Sequence, residues 1–498
     1  MSKSSTIIKG LSWVLVQNIT NILYGILAVP FLVNYFGKDE YGLIGMAISV
    51  NAYSQILDMG FAMANVKLFA EYIEKGDEDR LQRYFSFSHL LYLLIGLINT
   101  IVILLVAQHV PSLFQVSSDQ AVILKHLLWI LAANSIFSWI SVCFDQFLKA
   151  HEYIDWIAKR QSLLKILLFA FLSSVIIFNL SIETYFFGYV FIATIILPLT
   201  IIKARRIEPK LKINFRYDKE MALVALPYFL SFFSFGIFQF LASSSRSLFI
   251  GGISGPTCVA EFSVMSTITS VVVVFTGTFT QVLLPIVSKM KVSGDINGLT
   301  RIVNQGTRLA NIFITLIVFS IIISCNELIH VYVGQDFINI EKWLILWLLM
   351  LLLSHRNVMT SLVFAQSELR PVAVMGGIAM CIALVAYIIL IPYFGVGGAV
   401  IGYFIHDLIH TCFYYFYYFP KYVKINAIPN LLEKIIPTWV VAMFLTILLT
   451  CLFNNLVLNK ILTILLKSGS FAILFCICAF IFLLTKEDKL FILNRLKR

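Results

Sequence analysis

The chain has 498 residues, of which 60% are hydrophobic and only 13% charged, and its formal net charge is +11. A soluble domain is about half apolar and about a quarter charged, so this much apolar surface must use lipid as its solvent, which excludes a soluble enzyme. Lys and Arg fall between the apolar runs, which ties the positive balance to membrane topology and excludes nucleic acid as its partner.

With about 20 apolar residues needed per crossing, the sequence predicts an all-α integral membrane protein of about fourteen transmembrane helices. They are placed at 11–33, 41–63, 86–108, 121–147, 163–180, 184–202, 221–250, 256–287, 309–331, 342–365, 372–391, 396–419, 436–456 and 461–485. The first run follows Lys3 and Lys9, as the apolar core of a signal peptide would. It is too long for one and lacks a small-residue cleavage site, so it is read as the first membrane helix. The run 11–33 carries Gln17, Asn21 and Tyr24 on one helical face, and 41–63 carries Asn51, Gln55 and Asp58 at the same spacing. The run 121–147 adds Asn134, Ser138, Ser141 and Asp145. Such faces are intolerable toward lipid, so they line protein or water, as a transport path or as contacts between helices. Asp58 and Asp145 lie toward the cytoplasmic ends, where pairing with Lys67 or Lys149 is the structural alternative.

The loop 203–219 (KARRIEPKLKINFRYDK) carries seven Lys and Arg. The loops on its side, with the two termini, hold most of the 37 basic residues, whereas 109–120, 179–183, 251–255 and 392–395 hold none. This alternation predicts both termini in the cytoplasm.

Beyond that loop, Gln239, Ser243 and Arg246 share one face of the run 221–250. An arginine at mid-bilayer costs about 2.5–3.5 kcal/mol on insertion scales, and its planar fork suits phosphate oxygens, so Arg246 is the leading candidate for an anion contact. The structural alternative is snorkelling to the outer interface, with Gly251 and Gly252 soon following. Arg356, between His355 and Asn357, is a second candidate. HDLIH (His406, Asp407, His410) shares the spacing of a zinc-protease helix, but Asp stands where that chemistry needs Glu and no third ligand follows, so no metal is expected. A packing pair or a proton relay at His406 and Asp407 fits better. The aromatic run Tyr414, Tyr415, Phe416, Tyr417 and Tyr418 reads as an interfacial belt. The eight Cys, including the C-x-C of Cys476 and Cys478, read as small hydrophobic side chains, and no phosphate-binding loop or cofactor motif is present.

Residues 74–83 (EKGDEDRLQR) and 292–301 (VSGDINGLTR) share Gly76/Gly294, Asp77/Asp295, Leu81/Leu299 and Arg83/Arg301. Ala150 and Ala365, then Gly188-Tyr189 and Gly402-Tyr403, follow at nearly the same offset. All stand at equivalent places in a six-helix unit, and six is even, so the second unit enters the membrane in the same orientation as the first. The expected division is a six-helix lobe at 1–202, a basic linker at 203–220, a second six-helix lobe at 221–419, and two added helices with a cytoplasmic tail at 420–498. Two like-oriented lobes around a cavity are the arrangement of an alternating-access carrier.

The opening G-x-x-W-x-x-x-Q (Gly10, Trp13, Gln17), YFGKDEYGLIG at 35–45 and LDMGFAMANVKLFAEY at 57–72 resemble the polysaccharide transporter branch of the multidrug/oligosaccharidyl-lipid/polysaccharide exporter superfamily. The chain is most similar to the O-antigen flippases (Wzx type). The runs 11–33 and 41–63 carry Gln, Asn and Asp where a lipid II flippase is expected to carry basic residues. The resemblance implies a transporter of the bacterial inner membrane that turns an undecaprenyl-pyrophosphate-linked oligosaccharide toward the periplasm, coupled to an ion gradient. It implies membrane lipids, a polymerase and other polysaccharide-assembly proteins as partners. On this reading Arg246, Arg356, Gln239, Ser243, Gln17, Asn21, Asn51 and Gln55 bind pyrophosphate or sugar, and Asp58, His406 and Asp407 couple ions. The alternatives are a cation-coupled multidrug exporter, for which Asp58 and Glu261 are the available acids, and a membrane enzyme such as an O-antigen polymerase, which the repeat and the short outer loops disfavour.

Overall fold

The computed structural model describes residues 3–364, 370–453, 459–485 and 489, with side chains from Ser12 onward except at 57, 59, 176, 231–232, 234–236, 239, 278–282, 284–286, 288–289 and 292. The described residues form helices and connecting turns, with no strand among them. In chain order these are α1 (Lys3–Phe36), α2 (Lys38–Ala52), α3 (Gln55–Lys75), α4 (Glu78–Gln108), α5 (Ser118–Ala150), α6 (Ile154–Ile177), α7 (Ile182–Ile207) and α8 (Lys219–Val292). There follow α9 (Ile296–Ile322), α10 (Cys325–Val333), α11 (Gln335–Phe364), α12 (Arg370–Phe394), α13 (Val396–Val423), α14 (Ile428–Phe453) and α15 (Lys460–Leu483). Eleven helices among the described residues are long and apolar enough to cross a membrane. The protein is a multi-pass, all-α membrane protein.

Several expected runs differ in detail from the observed helices, each for a local reason. The run 41–63 keeps helical backbone angles throughout but tightens at Tyr53–Ser54, where the Ser54 N–H and hydroxyl both donate to the Asn51 carbonyl and divide α2 from α3. The runs 221–250 and 256–287 are two helices that meet at Gly255 (φ 80°), the first running on through Gly251 and Gly252 before helical geometry is lost; α8 denotes the two together. The run 309–331 starts earlier, at Ile296, since the Asp295 carboxylate caps the helix by accepting from the Gly298 N–H. Its polar opening, INGLTRIVNQGTR, is invisible to hydropathy but forms helix once capped.

The repeat is visible in backbone geometry. Gly76 (φ 64°) and Gly294 (φ 71°) end their helices in the left-handed region, and Asp77 and Asp295 each cap the next one. Their backbone hydrogen bonds match one for one: Gly76 to Ile73, Asp77 to Tyr72 and Glu78 to Gly76, against Gly294 to Lys291, Asp295 to Met290 and Ile296 to Gly294. Two further pairs, Gly37 (φ 83°) with Gly255 (φ 80°) and Asn179 (φ 49°) with Gly395 (φ 53°), repeat at offsets of 218 and 216.

Contacts divide the chain into two compact units, Met1–Val264 with Tyr387–Gly395, and Met265–Ala386 with Val396–Arg498. In the first, α2 meets the second half of α8 backbone to backbone. A Cβ at Gly42 would strike the Pro256 carbonyl, and one at Gly45 would stand 2.9 Å from Val259 Cγ1. Gly42→Ala is therefore expected to destabilise the protein by about 1–3 kcal/mol through overpacking, read as a lower thermal midpoint in detergent. Aromatic side chains from α3, α4 and α5, among them Phe69, Tyr84, Phe85, Phe144 and Phe147, fill the adjoining core. In the second unit, α14 and α15 pack on α9, with Trp439 Nε1 donating to Asn311 at 2.7 Å, and Lys467 of α15 pairs with Glu327 of α10 at 2.5 Å.

The basic linker is strapped to the start of α4. Arg83 donates to Asp218 through Nε at 2.8 Å and Nη2 at 3.1 Å, and to Glu220 at 2.6 Å. Gln82 exchanges two hydrogen bonds with the Lys212 backbone, both at 2.8 Å. Asp218 also accepts from the Glu220 and Met221 N–H groups that open α8. The hydrogen bond from Arg83 holds the Asp218 carboxyl below its ordinary range. A lowered carboxyl contributes at all pH values above its unfolded pKa and is lost only as pH falls through the lowered one, so the strap persists from neutrality down to about pH 4. Arg83→Ala is expected to expose the linker's basic sites to trypsin and raise the cleavage rate several-fold at neutral pH.

Candidate functional site

Arg246 lies nine residues before the turn at Gly255, about 14 Å of helix, which is nearly half of a ~30 Å hydrocarbon core. Its side chain is half-buried, with Nε donating to the Ser243 carbonyl at 2.9 Å and the guanidinium 5.2 Å from the Phe262 ring centre. The neighbouring serines tie this stretch of α8 to α2: Tyr53 Oη donates to Ser245 Oγ at 2.6 Å, and Ser49 Oγ to Ser247 Oγ at 2.6 Å. Tyr53 is also the residue at which α2 stops. The turn between α2 and α3 and the arginine therefore stand in one neighbourhood.

The other candidates of this unit differ in their surroundings. Gln55 is exposed at the first position of α3, and Gln17 and Asn21 are half-buried on α1. Ser243 turns its hydroxyl back to the Phe240 carbonyl at 3.1 Å, and the side chain of Gln239 lies outside the described residues. Asn51 is structural: it accepts from Asn99 at 3.3 Å, and Asn99 donates to Ser135 at 2.7 Å, linking α2, α4 and α5. Asp58 accepts from Tyr92 Oη at 2.6 Å, Lys67 stands 3.9 Å from the Tyr228 ring centre, and Asp145 pairs with Arg160 at 2.8 Å. Neither acid makes the lysine pair expected for it. Glu261 is bound by Lys38 at 2.8 Å.

In the second unit, a short 3-10 turn at Leu352–Arg356 interrupts α11 and aims Arg356 at α13. Arg356 donates to the Asp407 carboxylate at 2.6 Å, to the Asp407 carbonyl at 3.0 Å and to the Thr411 hydroxyl at 3.0 Å. Its charge is thus matched inside the protein. Beside the pair, His406 is wholly buried between the Tyr403 and His410 rings. Neither of its ring nitrogens makes a hydrogen bond among the described residues; Nδ1 is 3.6 Å from Asp407 Oδ1, too long for one. His355 is satisfied by Tyr415 Oη at 2.9 Å and the Leu352 carbonyl at 2.8 Å. Among the described residues no group of three His, Cys, Asp or Glu is placed to hold a metal.

Residues 7–291, more than half of the chain, match the polysaccharide biosynthesis protein family. The chain belongs to that family. No curated protein sequence matches it. In fold it is similar to the solved lipid II flippase MurJ in an inward closed conformation, with TM-score 0.72 and 15% identity over 93% of this chain and 97% of that one. An inward-facing multidrug resistance MATE family transporter of the MOP superfamily is similar at TM-score 0.61 and 16% identity, over 81% of this chain and 95% of that one. The MATE multidrug transporter DinF-BH follows at TM-score 0.57 and 15% identity, over 82% and 94%.

Within this polysaccharide biosynthesis protein, sequence reasoning placed Ser245 with Arg246 but missed Ser49, Tyr53 and Ser247 beside them. Ser245 and Ser247 flank the arginine and signal a polar patch, but the turn at Tyr53 has no Gly or Pro beside it to announce it. Lys38 and Glu261 are 223 positions apart, and only the fold pairs them.

Proposed function

We propose that the protein is a flippase that carries an undecaprenyl-pyrophosphate-linked oligosaccharide, such as an O-antigen repeat unit, from the cytoplasmic to the periplasmic leaflet of the bacterial inner membrane by alternating access. The observation that carries this reading is a half-buried guanidinium in an apolar helix beside the turn between α2 and α3, in a chain of the polysaccharide biosynthesis family. A pyrophosphate leaving water needs a cation that stays charged, which Arg246 supplies. Gln55, Gln17 and Asn21 offer hydrogen bonds to sugar hydroxyls, and the prenyl tail stays in lipid. Arg356 serves a different role from the one its residue type suggests, because Asp407 already neutralises it.

We assign coupling to the second unit. While His406 is neutral, Asp407 holds Arg356. A proton on His406 places a second cation against the same carboxylate oxygen and turns a neutral cluster into a positive one, weakening the hold on Arg356 and favouring a different packing of α11 against α13. Asp58 is the weaker coupling candidate, since Tyr92 already donates to it. The acids that a carrier of cationic drugs would need, Asp58, Glu261 and Asp407, are each engaged by Tyr92, Lys38 or Arg356, which favours anionic cargo.

The test is restoration of surface polysaccharide in a strain lacking its own flippase but holding the matching glycosyltransferases and polymerase. The wild-type chain restores it. A chain that reaches the membrane in normal amount and leaves the lipid-linked unit on the cytoplasmic side overturns the proposal.

A further inference from the structure

The second unit carries a groove that the flipping reaction does not use. It lies where α12 begins and α13 ends, and its volume is about 790 Å³, within the ~300–1,000 Å³ range of built ligand sites. Pro371, Val374, Met375 and Ile378 form one wall, at helical spacing along α12. Cys412, Phe413 and Phe416 of α13 are among those that form the other. The groove opens where α13 widens into a π-helical segment at Tyr414–Val423, around Pro420, which lacks the N–H an α-helix requires.

The groove has one cation in its lining and a second beside its tyrosines. Arg370, the first residue of α12, lines it and is exposed. Lys421 is exposed as well, donates to Tyr417 Oη at 3.0 Å, and stands 4.9 Å and 5.5 Å from the ring centres of Tyr417 and Tyr422, two groove residues. Val374 is 57% exposed, so the wall faces the surrounding medium, which at this depth is lipid. An apolar slot a chain can enter, with two cations beside it, complements one kind of molecule in a bilayer: a lipid with acyl chains and an anionic phosphate.

We infer that this groove binds one anionic phospholipid of the surrounding leaflet, its phosphate at Arg370 and Lys421 and an acyl chain along Val374, Met375 and Ile378. The site is separate from Arg246 and does not depend on what the protein flips.

The full-length protein, reconstituted in nanodiscs of phosphatidylethanolamine with a minor share of phosphatidylglycerol, is transferred to detergent, and its retained lipid is measured by native mass spectrometry. Wild type is expected to retain phosphatidylglycerol well above its share of the bilayer, close to one per chain. Arg370→Gln with Lys421→Gln is expected to reduce that preference by roughly thirtyfold, each basic residue contributing about fivefold. Val374→Trp, which fills the groove and leaves both cations in place, is expected to lower retention of phosphatidylglycerol as well. Retention of the two lipids in proportion to the bilayer by wild type, or unchanged preference in the double variant, overturns the site. So does a groove that keeps no phosphatidylglycerol and is filled only by added polyprenyl phosphate, because it then belongs to the cargo.

Discussion

Arg246→Ala is expected to reduce flipping of a pyrophosphate-linked oligosaccharide by about two orders of magnitude, while the protein still inserts and folds. The scale follows from the chemistry. Truncating one partner of a desolvated charge pair costs about 2–5 kcal/mol, much of it the penalty of leaving the other charge without its counter-ion. The described partners that join α2 to this stretch of α8 are hydroxyls, those of Ser49, Tyr53, Ser245 and Ser247, which carry no charge. Arg246→Lys separates charge from geometry. It keeps a cation but loses the planar fork, so an intermediate rate means that one phosphate contact suffices, and a rate as low as alanine's means that two parallel hydrogen bonds are required. The readout is surface polysaccharide at native expression, normalised to protein in the membrane. A thermal midpoint near wild type identifies the loss as one of the site. Full restoration by Arg246→Ala removes Arg246 from the mechanism.

Asp407→Asn is expected to have the largest effect on stability, about 3–5 kcal/mol, because it strands a buried guanidinium. Arg356→Met with Asp407→Leu should cost far less than the single change, since replacing both members of a buried pair with apolar groups of similar size is often neutral or stabilising. The two results together, read as thermal midpoints in detergent, define the pair as matched charge in the interior. Transport should separate from stability at His406. His406→Gln removes a proton site but no member of the ion pair, so flipping should continue while its acceleration by an imposed pH gradient is lost. Equal response to the gradient in wild type and His406→Gln places the coupling elsewhere, with Asp58 next in line.

How far these features were legible differs by the range over which they are encoded. Membrane helices were legible because lipid imposes a run of about 20 apolar residues, and a run is a local property. The repeated turn was legible too: Gly76-Asp77 and Gly294-Asp295 combine a residue that tolerates positive φ with one that caps a helix, and both roles depend only on neighbours. Arg246 stood out because arginine is costly in lipid. Long-range partnerships were not legible. Arg356 looked like an anion contact because its acid is 51 residues away on another helix, and Asp145 looked like a partner for Lys149 because Arg160 meets it only after α6 folds back on α5. The turn at Tyr53–Ser54 escaped notice for a related reason. A serine that closes a helix onto its own carbonyl resembles any other serine in an apolar run until the neighbouring helix takes up the tyrosine beside it.

The most direct measurement of the central claim uses purified protein in liposomes that carry an undecaprenyl-pyrophosphate oligosaccharide, with flipping read as the fraction of sugar reached by an impermeant modifying reagent. The account predicts that wild type brings nearly all of the lipid-linked sugar within reach, while Arg246→Ala leaves about half of it protected, at the level of empty liposomes. Equal access with wild type and with Arg246→Ala, or no gain over empty liposomes with either, would contradict it.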